Sequence, residues 1–338
     1  MTDKRVTIAQ IAQRAGVSSP TVSKVLNGRP GVSDATRQQI ETIIAELGYE
    51  QRSAPRQSNS HLVDFVISGL DTQWAAELVS GAQTEATRRG KDLVVTATHG
   101  APVGGAHWID HLVQRGTSGV VVVVSELLEV TQRKMHQLKV PVALINPTGT
   151  QYPSIPTVAA TDWAGSRDAT EHLISLGHQR IAFITGSLDL LSHRDRLDAY
   201  RSVLSRHQIT YDPDLVLTGN SLFEGGRRLA SELLNRAPRP TAILNGSDEQ
   251  AYGVYRAVKE AGLRVPADVS VIGFDDVDLC QWVDPPMTTV HQPLREMAQE
   301  ATRMVIDLSE DPHAPRLGME LPTHLVVRGS TAPPPRVP

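Results

Sequence analysis

Short runs rich in β-branched residues alternate with longer amphipathic segments through most of this chain. The runs are LVDFVI (62–67), DLVVTA (92–97), GVVVVV (119–124), VPVALIN (140–146), RIAFIT (180–185), TAILNG (241–246), VSVIGF (269–274) and LPTHLVVR (321–328). Near-continuous apolar strands alternating with helices predict parallel sheets that are buried on both faces. Because the pattern restarts after residue 160, we expect two α/β lobes with a cleft between them.

Length and composition set the first limits on function. The chain has 338 residues, of which 40% are hydrophobic, enough for two or three globular domains. No apolar run approaches the ~20 residues that a membrane span needs, and MTDKRVTIAQ lacks the features of a signal peptide. A single cysteine, Cys280, excludes an internal disulfide and a cysteine zinc cluster. We therefore expect a cytoplasmic protein.

The first 50 residues follow a helical pattern instead. Thr7 is placed to cap a first helix and Gly16 to end it, with Ile8, Ile11, Ala12 and Ala15 on one face. Ser18 can cap a second helix that has Pro20 in its first turn. A third helix is expected from Ser33 to about Leu47. Residues 1–60 carry eight basic against five acidic residues, whereas the remainder carries 25 against 32, which favours a polyanion-binding head.

Two short helices joined by a glycine-containing turn and followed by a third helix are typical of a helix-turn-helix. Its second helix would present small polar groups and Lys24 to a major groove. The alternative is a small three-helix packing module with a solvated polar face. The stretch VTIAQIAQRAGVSSPTVSKVLNGRPGVSDATRQQI closely resembles the head of the lac-repressor (LacI/GalR) family of bacterial transcription regulators, which favours DNA binding.

The resemblance implies specific roles for residues of the head. It implies that Ser19, Pro20 and Lys24 read bases, and that phosphates are contacted by Thr7, Ser18, Thr21, Ser23, Asn27, Ser33 and Thr36. Pro20 has no side-chain donor, so it can offer only an apolar contact, such as one to a thymine methyl.

The linker, expected at residues 51–61, departs from the family pattern. In the family this segment forms a hinge helix whose leucine wedges into the minor groove. Here the matching position is about Ser58, the nearest leucine is Leu62, and Pro55 would break a helix. Arg52 and Arg56 could still enter the minor groove as arms. A solvated tether is the alternative.

The resemblance also implies a body like the periplasmic sugar-binding proteins, for effector binding and dimerisation. We expect the α/β fold class, with a head over 1–50 joined to a two-lobed body over 62–330. Lobe one is expected at about 62–161 and 292–321, lobe two at about 162–291 and 322–330, and a frayed tail at 331–338.

Ligands of such sheets bind beyond the carboxyl ends of the strands. Polar residues at those ends include Asp71, Asn146, Arg196, Ser247 and Asp275, and Trp74, Phe223 and Trp282 are aromatic candidates nearby. Polar groups beside aromatic faces suit a neutral sugar. The predicted effector contacts are Asp71, Trp74, Asn146, Asp162, Arg196, Phe223, Ser247 and Asp275, although several could instead be helix caps or salt bridges.

Catalytic, metal and transport functions find less support. His107 and His111 have metal-capable spacing but lack the glutamate of HExxH and an evident third ligand. His172 and His178 are expected to be structural. We expect no metal, no cofactor and no enzyme activity. The leading hypothesis is a homodimeric repressor that binds near-palindromic double-stranded DNA under control of a small sugar-like effector. The alternatives are a solute-binding protein of a transport system and a sugar-acting enzyme.

Overall fold

The structure is a computed structural model that describes residues 7–26, 31–47, 61–99, 106–123, 135, 137, 139–146 and 155–335. The chain divides into two compact units, residues 1–57 and 58–338. No helix in the described ranges is both long enough and apolar enough to cross a bilayer.

The first unit contains three short helices, α1 (Ile8–Ala15), α2 (Ser19–Leu26) and α3 (Asp34–Glu46). As predicted, Thr7 caps α1, in a capping box where its amide donates to Gln10 Oε1 at 2.8 Å. Gly16 ends the helix with a φ of 67°, a left-handed conformation that glycine adopts without strain. The helices bury a common core of Ile11, Ala12, Ala15, Val22, Val25 and Ile40.

The second unit contains two six-stranded sheets. The strands of the first are β1 (Leu62–Ile67), β2 (Asp92–Ala97), β3 (Gly119–Val123), β4 (Val142–Ile145), β5 (Thr157–Ala160) and β11 (Met319–Leu321). Those of the second are β6 (Ile181–Thr185), β7 (Val216–Thr218), β8 (Ala242–Asn245), β9 (Ser270–Asp275), β10 (Thr288–His291) and β12 (His324–Val326). The spatial orders are β11-β5-β4-β3-β1-β2 and β12-β10-β9-β8-β6-β7. Only the β10–β12 pair is antiparallel among these strands.

Helices cover the faces of the two sheets, which confirms the predicted α/β class. They are α4 (Gln73–Arg88), α5 (Ala106–Arg115), α6 (Asp162–Ser175), α7 (Leu191–Arg206), α8 (Phe223–Leu234), α9 (Asp248–Glu260) and α10 (Leu294–Glu310). Helix α10 packs on α4 in the first lobe, and α9 packs on α8 in the second. Two short 3-10 turns lie at Pro213–Leu215 and Asp278–Gln281.

The chain passes between the two sheets three times, near residues 161, 292 and 322. Two of these passages are tied together, because the amide of Thr323 donates to Thr161 Oγ1 at 2.9 Å and its hydroxyl donates to the Thr161 carbonyl at 2.9 Å. Three connecting segments therefore join the two lobes, and ligands of such parallel sheets bind at the carboxyl ends of the strands.

The start of the expected frayed tail is bound to lobe two. The amide of Ala332 donates to Ser270 Oγ at 3.1 Å, and His172 Nε2 lies 2.9 Å from Thr331 Oγ1. His178 lies within hydrogen-bond distance of the Ala332 carbonyl, at 2.9 Å. The prediction of fraying was therefore wrong for residues 331 and 332, because half-buried His172, buried His178 and Ser270 form hydrogen bonds with them.

Candidate functional site

The exposed side of α2 forms the first candidate site. Val22 and Val25 are buried in the core of this unit, and this turns Ser19, Pro20 and Lys24 to solvent. Thr21 and Ser23 are half-buried beside them. The arrangement is the one that the helical spacing predicted, with small side chains that let the helix backbone approach a binding partner closely.

Hydroxyl pairs stand at the starts of α2 and α3. Ser18 Oγ lies 2.8 Å from Thr21 Oγ1 and accepts from the Thr21 amide at 3.3 Å. Ser33 and Thr36 repeat this geometry, with the same 2.8 Å and 3.3 Å distances. Together with Thr7 before α1, the predicted phosphate contacts Ser18 and Ser33 precede helix N-termini, whose unpaired amides and partial positive charge favour anions.

Three predicted DNA contacts, Asn27, Arg52 and Arg56, lie outside the described residues, as do Pro55 and Ser58 of the linker. The hinge-helix question therefore stays a prediction.

The second candidate site lies at the carboxyl ends of the strands in the second lobe. Arg196 of α7 is buried and donates to Asp162 Oδ1 from Nε at 2.8 Å and from Nη2 at 2.6 Å. Its Nη1 donates to the Gly246 carbonyl at 2.5 Å, and its guanidinium carbon lies 3.6 Å from the centre of the Phe274 ring. Three partners outside its own helix thus hold this guanidinium, through charge-assisted hydrogen bonds and stacking on a ring.

Asp275 ends β9 beside this arginine. It is buried and has a φ of 129°, a strained conformation for a residue other than glycine. Burial raises the pKa of its carboxyl well above the usual range, and the nearby Asp248 carboxylate raises it further, while Arg196 opposes both effects. A buried carboxyl held by strain at the end of a strand is a strong candidate for binding a ligand.

Asp248, which begins α9, is bonded on several sides. It accepts from the Val277 amide at 3.1 Å, from Cys280 Sγ at 3.0 Å and from Thr289 Oγ1 at 2.5 Å. Burial is the main reason that its pKa is raised. This carboxylate therefore joins α9 to the segment that follows β9 and to strand β10.

The other predicted effector residues have mixed surroundings. Ser247 caps α9, as the alternative interpretation allowed, and its hydroxyl donates to the Ser221 carbonyl at 3.0 Å. Asn146 follows β4 with a φ of 46°, and its buried Oδ1 has no partner in the described part of the chain. Phe223 and Trp74 are half-buried and pack against a hydrophobic cluster of the body whose buried members include Leu78 and Ala251. Trp282 is 69% exposed.

Asp71 is exposed after β1 in the first lobe, and its charge acts on Glu249 of the second lobe. Burial raises the pKa of Glu249, and the Asp71 carboxylate adds to that effect. Nearby, the Leu279 amide of lobe two donates to Gln73 Oε1 of lobe one at 3.0 Å. Near this point the two lobes therefore bring the Asp71 and Glu249 carboxylates close together, and the bond from Leu279 to Gln73 links the lobes directly.

The structure adds site residues that the sequence analysis missed, chiefly His193, Ser221 and Gln250. His193 is buried on α7, one turn before Arg196, and its Nε2 lies 3.2 Å from Ser221 Oγ. Ser221 has a φ of 62° in the loop after β7. Spacing along the helices could have identified two of them, because residues three apart lie on the same helix face. His193 precedes Arg196 by three residues, and Gln250 follows Ser247 by three. Among the described residues, no group of three metal-ligating side chains is suitably placed.

A helix-turn-helix unit in one chain with a two-lobed, ligand-binding α/β body defines the class of ligand-responsive DNA-binding regulators. Residues 7–51 match the family of bacterial regulatory proteins, lacI family, and residues 170–331 match the periplasmic binding protein-like domain.

Relatives match over nearly the full length. The chain is 32% identical to the ribose operon repressor of Escherichia coli over 342 residues, covering 96% of this chain and 99% of the relative. It is similar to the regulator CelR in complex with cellobiose, with a TM-score of 0.74, 31% identity and coverage of 96% and 100%. It is also similar to the lac repressor dimer bound to operator and the anti-inducer ONPF, with a TM-score of 0.70, 30% identity and coverage of 97% and 100%. The chain belongs to the LacI family of bacterial transcription regulators.

Proposed function

We propose that this chain is a repressor whose binding to operator DNA is controlled by a small sugar in the cleft of its body. Membership of a family of regulators supports the DNA-binding part. The observation that carries the effector part is the buried cluster of Asp162, Arg196 and Asp275 at the strand ends. Similarity to a regulator bound to cellobiose and to a ribose operon repressor supports a neutral sugar.

In this proposal, α2 enters the major groove of one half-site. Lys24 donates to a guanine edge, while Ser19 and Pro20 lie against neighbouring bases. Thr7, Ser18, Thr21, Ser23, Asn27, Ser33 and Thr36 contact phosphates, and Arg52 and Arg56 extend into the minor groove. A homodimer presents two such helices to a near-palindrome, since a two-fold axis in the protein requires one in the site. The chain acts in the compartment that holds the DNA, the bacterial cytoplasm.

The effector site combines side chains of both lobes. Arg196, Asp275 and Ser247 bind hydroxyls from lobe two, with Asp162 orienting the guanidinium. Asn146, Asp71 and Trp74 contribute from lobe one, and Phe223 lines the second lobe. A sugar that binds both lobes favours their closed arrangement by its differential affinity, which changes the geometry of the dimer and releases DNA.

We propose binding rather than catalysis at this cluster. Hydrolysis of a glycoside needs one free acid and one free carboxylate on either side of the bond. Here Asp162 already accepts two hydrogen bonds from Arg196.

A salt titration tests the proposed DNA contacts. Each neutralised phosphate releases counterions, so the logarithm of the association constant should fall against the logarithm of salt with a slope of about −0.9 per contact. We expect a clearly negative slope on the preferred duplex, because the two basic heads neutralise phosphates there and release counterions. A slope near zero on every duplex tested would contradict DNA binding.

A further inference from the structure

Three polar groups of lobe two converge on the face of Gly246 that carries no side chain. Gly246 follows β8, and a Cβ placed on it would lie 3.1 Å from the backbone nitrogen of Gly186, which follows β6. The same point lies 3.3 Å from His193 Nδ1 and 3.3 Å from Gln250 Oε1. Two helices and one strand end therefore direct polar atoms to one small region.

Two of these atoms lack partners although they are buried. His193 Nδ1 and Gln250 Oε1 have no hydrogen-bond partner within the ranges that the structure describes. Their side chains cannot simply turn away, because the opposite ends are fixed. His193 Nε2 lies 3.2 Å from Ser221 Oγ, and Gln250 Nε2 donates to the Thr185 carbonyl at 3.2 Å. Buried polar atoms are rarely left unpaired in native proteins, so a bound group is expected here.

The chemistry of these atoms selects a neutral group. Burial lowers the pKa of His193 to about 3, and the positive charge of Arg196 contributes. The imidazole is therefore neutral near pH 7, and its Nδ1 donates or accepts according to the bond that Nε2 makes with Ser221. Gln250 Oε1 can only accept. A hydroxyl satisfies this set because it donates to Gln250 while accepting from the Gly186 amide or from a protonated Nδ1.

The position of these atoms places the bound group beside the proposed effector. Gly186, Ser221 and Gly246 follow β6, β7 and β8, at the edge where ligands of parallel sheets bind. His193 also lies one helical turn from Arg196.

We propose that His193, Gln250 and the amide of Gly186 form a subsite for one hydroxyl oxygen, supplied by the effector itself or by an ordered water that bridges to it. The role in effector choice rests on the proposed function, whereas the presence of the oxygen does not. His193 and Gln250 are thus specificity-determining residues for a hydroxylated effector.

The first test is electron density. Crystals of the wild-type full chain, with and without sugar, should show an ordered oxygen within hydrogen-bond distance of both His193 Nδ1 and Gln250 Oε1. Water in both crystals, or water replaced by a sugar hydroxyl, supports the subsite and distinguishes the two sources. High-resolution density that is empty between these atoms in both crystals would overturn it.

The second test fills the region. Gly246→Ala places a methyl group where the polar atoms converge, at a glycine without a positive φ. Gly318→Ala is the matched control, because its added Cβ also meets its nearest atom at 3.1 Å but lies in lobe one. Gln250→Met removes the accepting oxygen and serves as the second variant, should Gly246→Ala fail to fold.

Calorimetry with a panel of sugars that includes ribose and cellobiose supplies the readout. We expect Gly246→Ala and Gln250→Met to weaken the best-bound sugar about tenfold, and Gly318→Ala to stay near wild type. A folded Gly246→Ala chain that binds as wild type does would overturn the subsite. If the wild type binds no sugar of the panel, the proposed sugar effector fails, and the density alone decides the subsite.

Discussion

The guanidinium of Arg196 donates two hydrogen bonds to one carboxylate oxygen of Asp162, from Nε at 2.8 Å and from Nη2 at 2.6 Å. Asp162 is the first residue of α6, directly after a passage between the lobes, and Arg196 is one of the charges that act on Asp275. A group that binds Arg196 or Asp275 therefore acts on the Arg196 side chain, which is bonded to Asp162 at the start of the second lobe. In the proposed function, this connection is the route by which the effector changes the arrangement of the lobes.

Arg196→Ala should abolish release of DNA by sugar while leaving the affinity for DNA in the absence of sugar close to wild type. The reason is that the guanidinium contacts the body only. The variant also leaves the Asp162 carboxylate buried without its cation, so we expect a loss of about 3 kcal/mol in the free energy of unfolding.

Fluorescence anisotropy of labelled operator, with and without sugar, measures this effect. Arg201→Ala is the control, because Arg201 lies on the same helix but is exposed. Release of DNA by Arg196→Ala at the wild-type sugar concentration would show that the proposed cleft contact is wrong.

Lys24→Ala should weaken binding to the preferred operator by about 1–3 kcal/mol and relax base choice at one position of each half-site. Lys24 is exposed on α2 beside Ser19 and Pro20. The control Lys259→Ala removes an equal charge from the exposed end of α9. Binding to a set of operators with single-base changes checks this, and an unaltered preference at every position would refute a base-reading role for Lys24.

The same substitution at two buried threonines, Thr289 on β10 of lobe two and Thr302 on α10 of lobe one, should differ in its effect on stability. Thr289→Val removes a hydroxyl that donates to the buried carboxylate of Asp248, so it should lower the free energy of unfolding by about 1–3 kcal/mol. Thr302 is equally buried, but its hydroxyl has no partner among the described residues. Thr302→Val should therefore be nearly neutral or stabilising. Chemical denaturation of both variants measures the difference, and equal losses would contradict the role assigned to Asp248.

Acid should destabilise the body through His193. Because burial lowers the pKa of this side chain to about 3 from the usual value of about 6.5, the unfolded chain binds a proton between these pH values that the folded chain does not. Stability is therefore lost as pH falls below about 6.5. Between pH 6.5 and pH 5 the contribution is about 1.5 kcal/mol.

His193→Asn should remove this part of the pH dependence, whereas His313→Asn, at an exposed histidine, should keep it. Denaturation curves at several pH values measure both. A slope in His193→Asn as steep as that of the wild type would mean that other groups cause the acid sensitivity.

Long apolar strands and capped helices could be read from the sequence. The strands LVDFVI and DLVVTA were predicted at 62–67 and 92–97 and are found there as β1 and β2, because continuous burial leaves an unambiguous pattern. The strands β5, β7 and β10 were missed, as was β11 except for its last residue. They are three or four residues long, and partners in the sheet rather than their own composition stabilise them.

The sequence predicts body helices at about 74–89, 107–115, 164–176, 194–207, 248–261 and 293–309, but it does not predict α8, because of the glycines in that helix. Gly225 and Gly226 weaken its helical signal. Their reason is tertiary, since a Cβ on Gly226 would lie 2.1 Å from the Gln250 carbonyl oxygen of α9, and one on Gly253 would lie 2.1 Å from the Phe223 carbonyl oxygen. The two helices pack so closely that only glycine fits at these crossing points.

The sequence predicted individual residues of the candidate effector site, but it did not predict the contacts between them. Strand ends identified Arg196, Ser247 and Asp275, since topology alone places them at one edge. The bond from Arg196 to Asp162 and the unpartnered nitrogen of His193 depend on side-chain geometry across helices, which spacing along the chain does not encode.

Selection of bound DNA from a random library by the full-length chain, repeated with a panel of sugars, tests the central claim most directly. We expect enrichment of one near-palindromic site with two half-sites, and loss of its binding in the presence of at least one sugar. Recovery of no enriched sequence would contradict the account of a DNA-binding head. An enriched site whose binding no sugar alters would contradict the account of the effector.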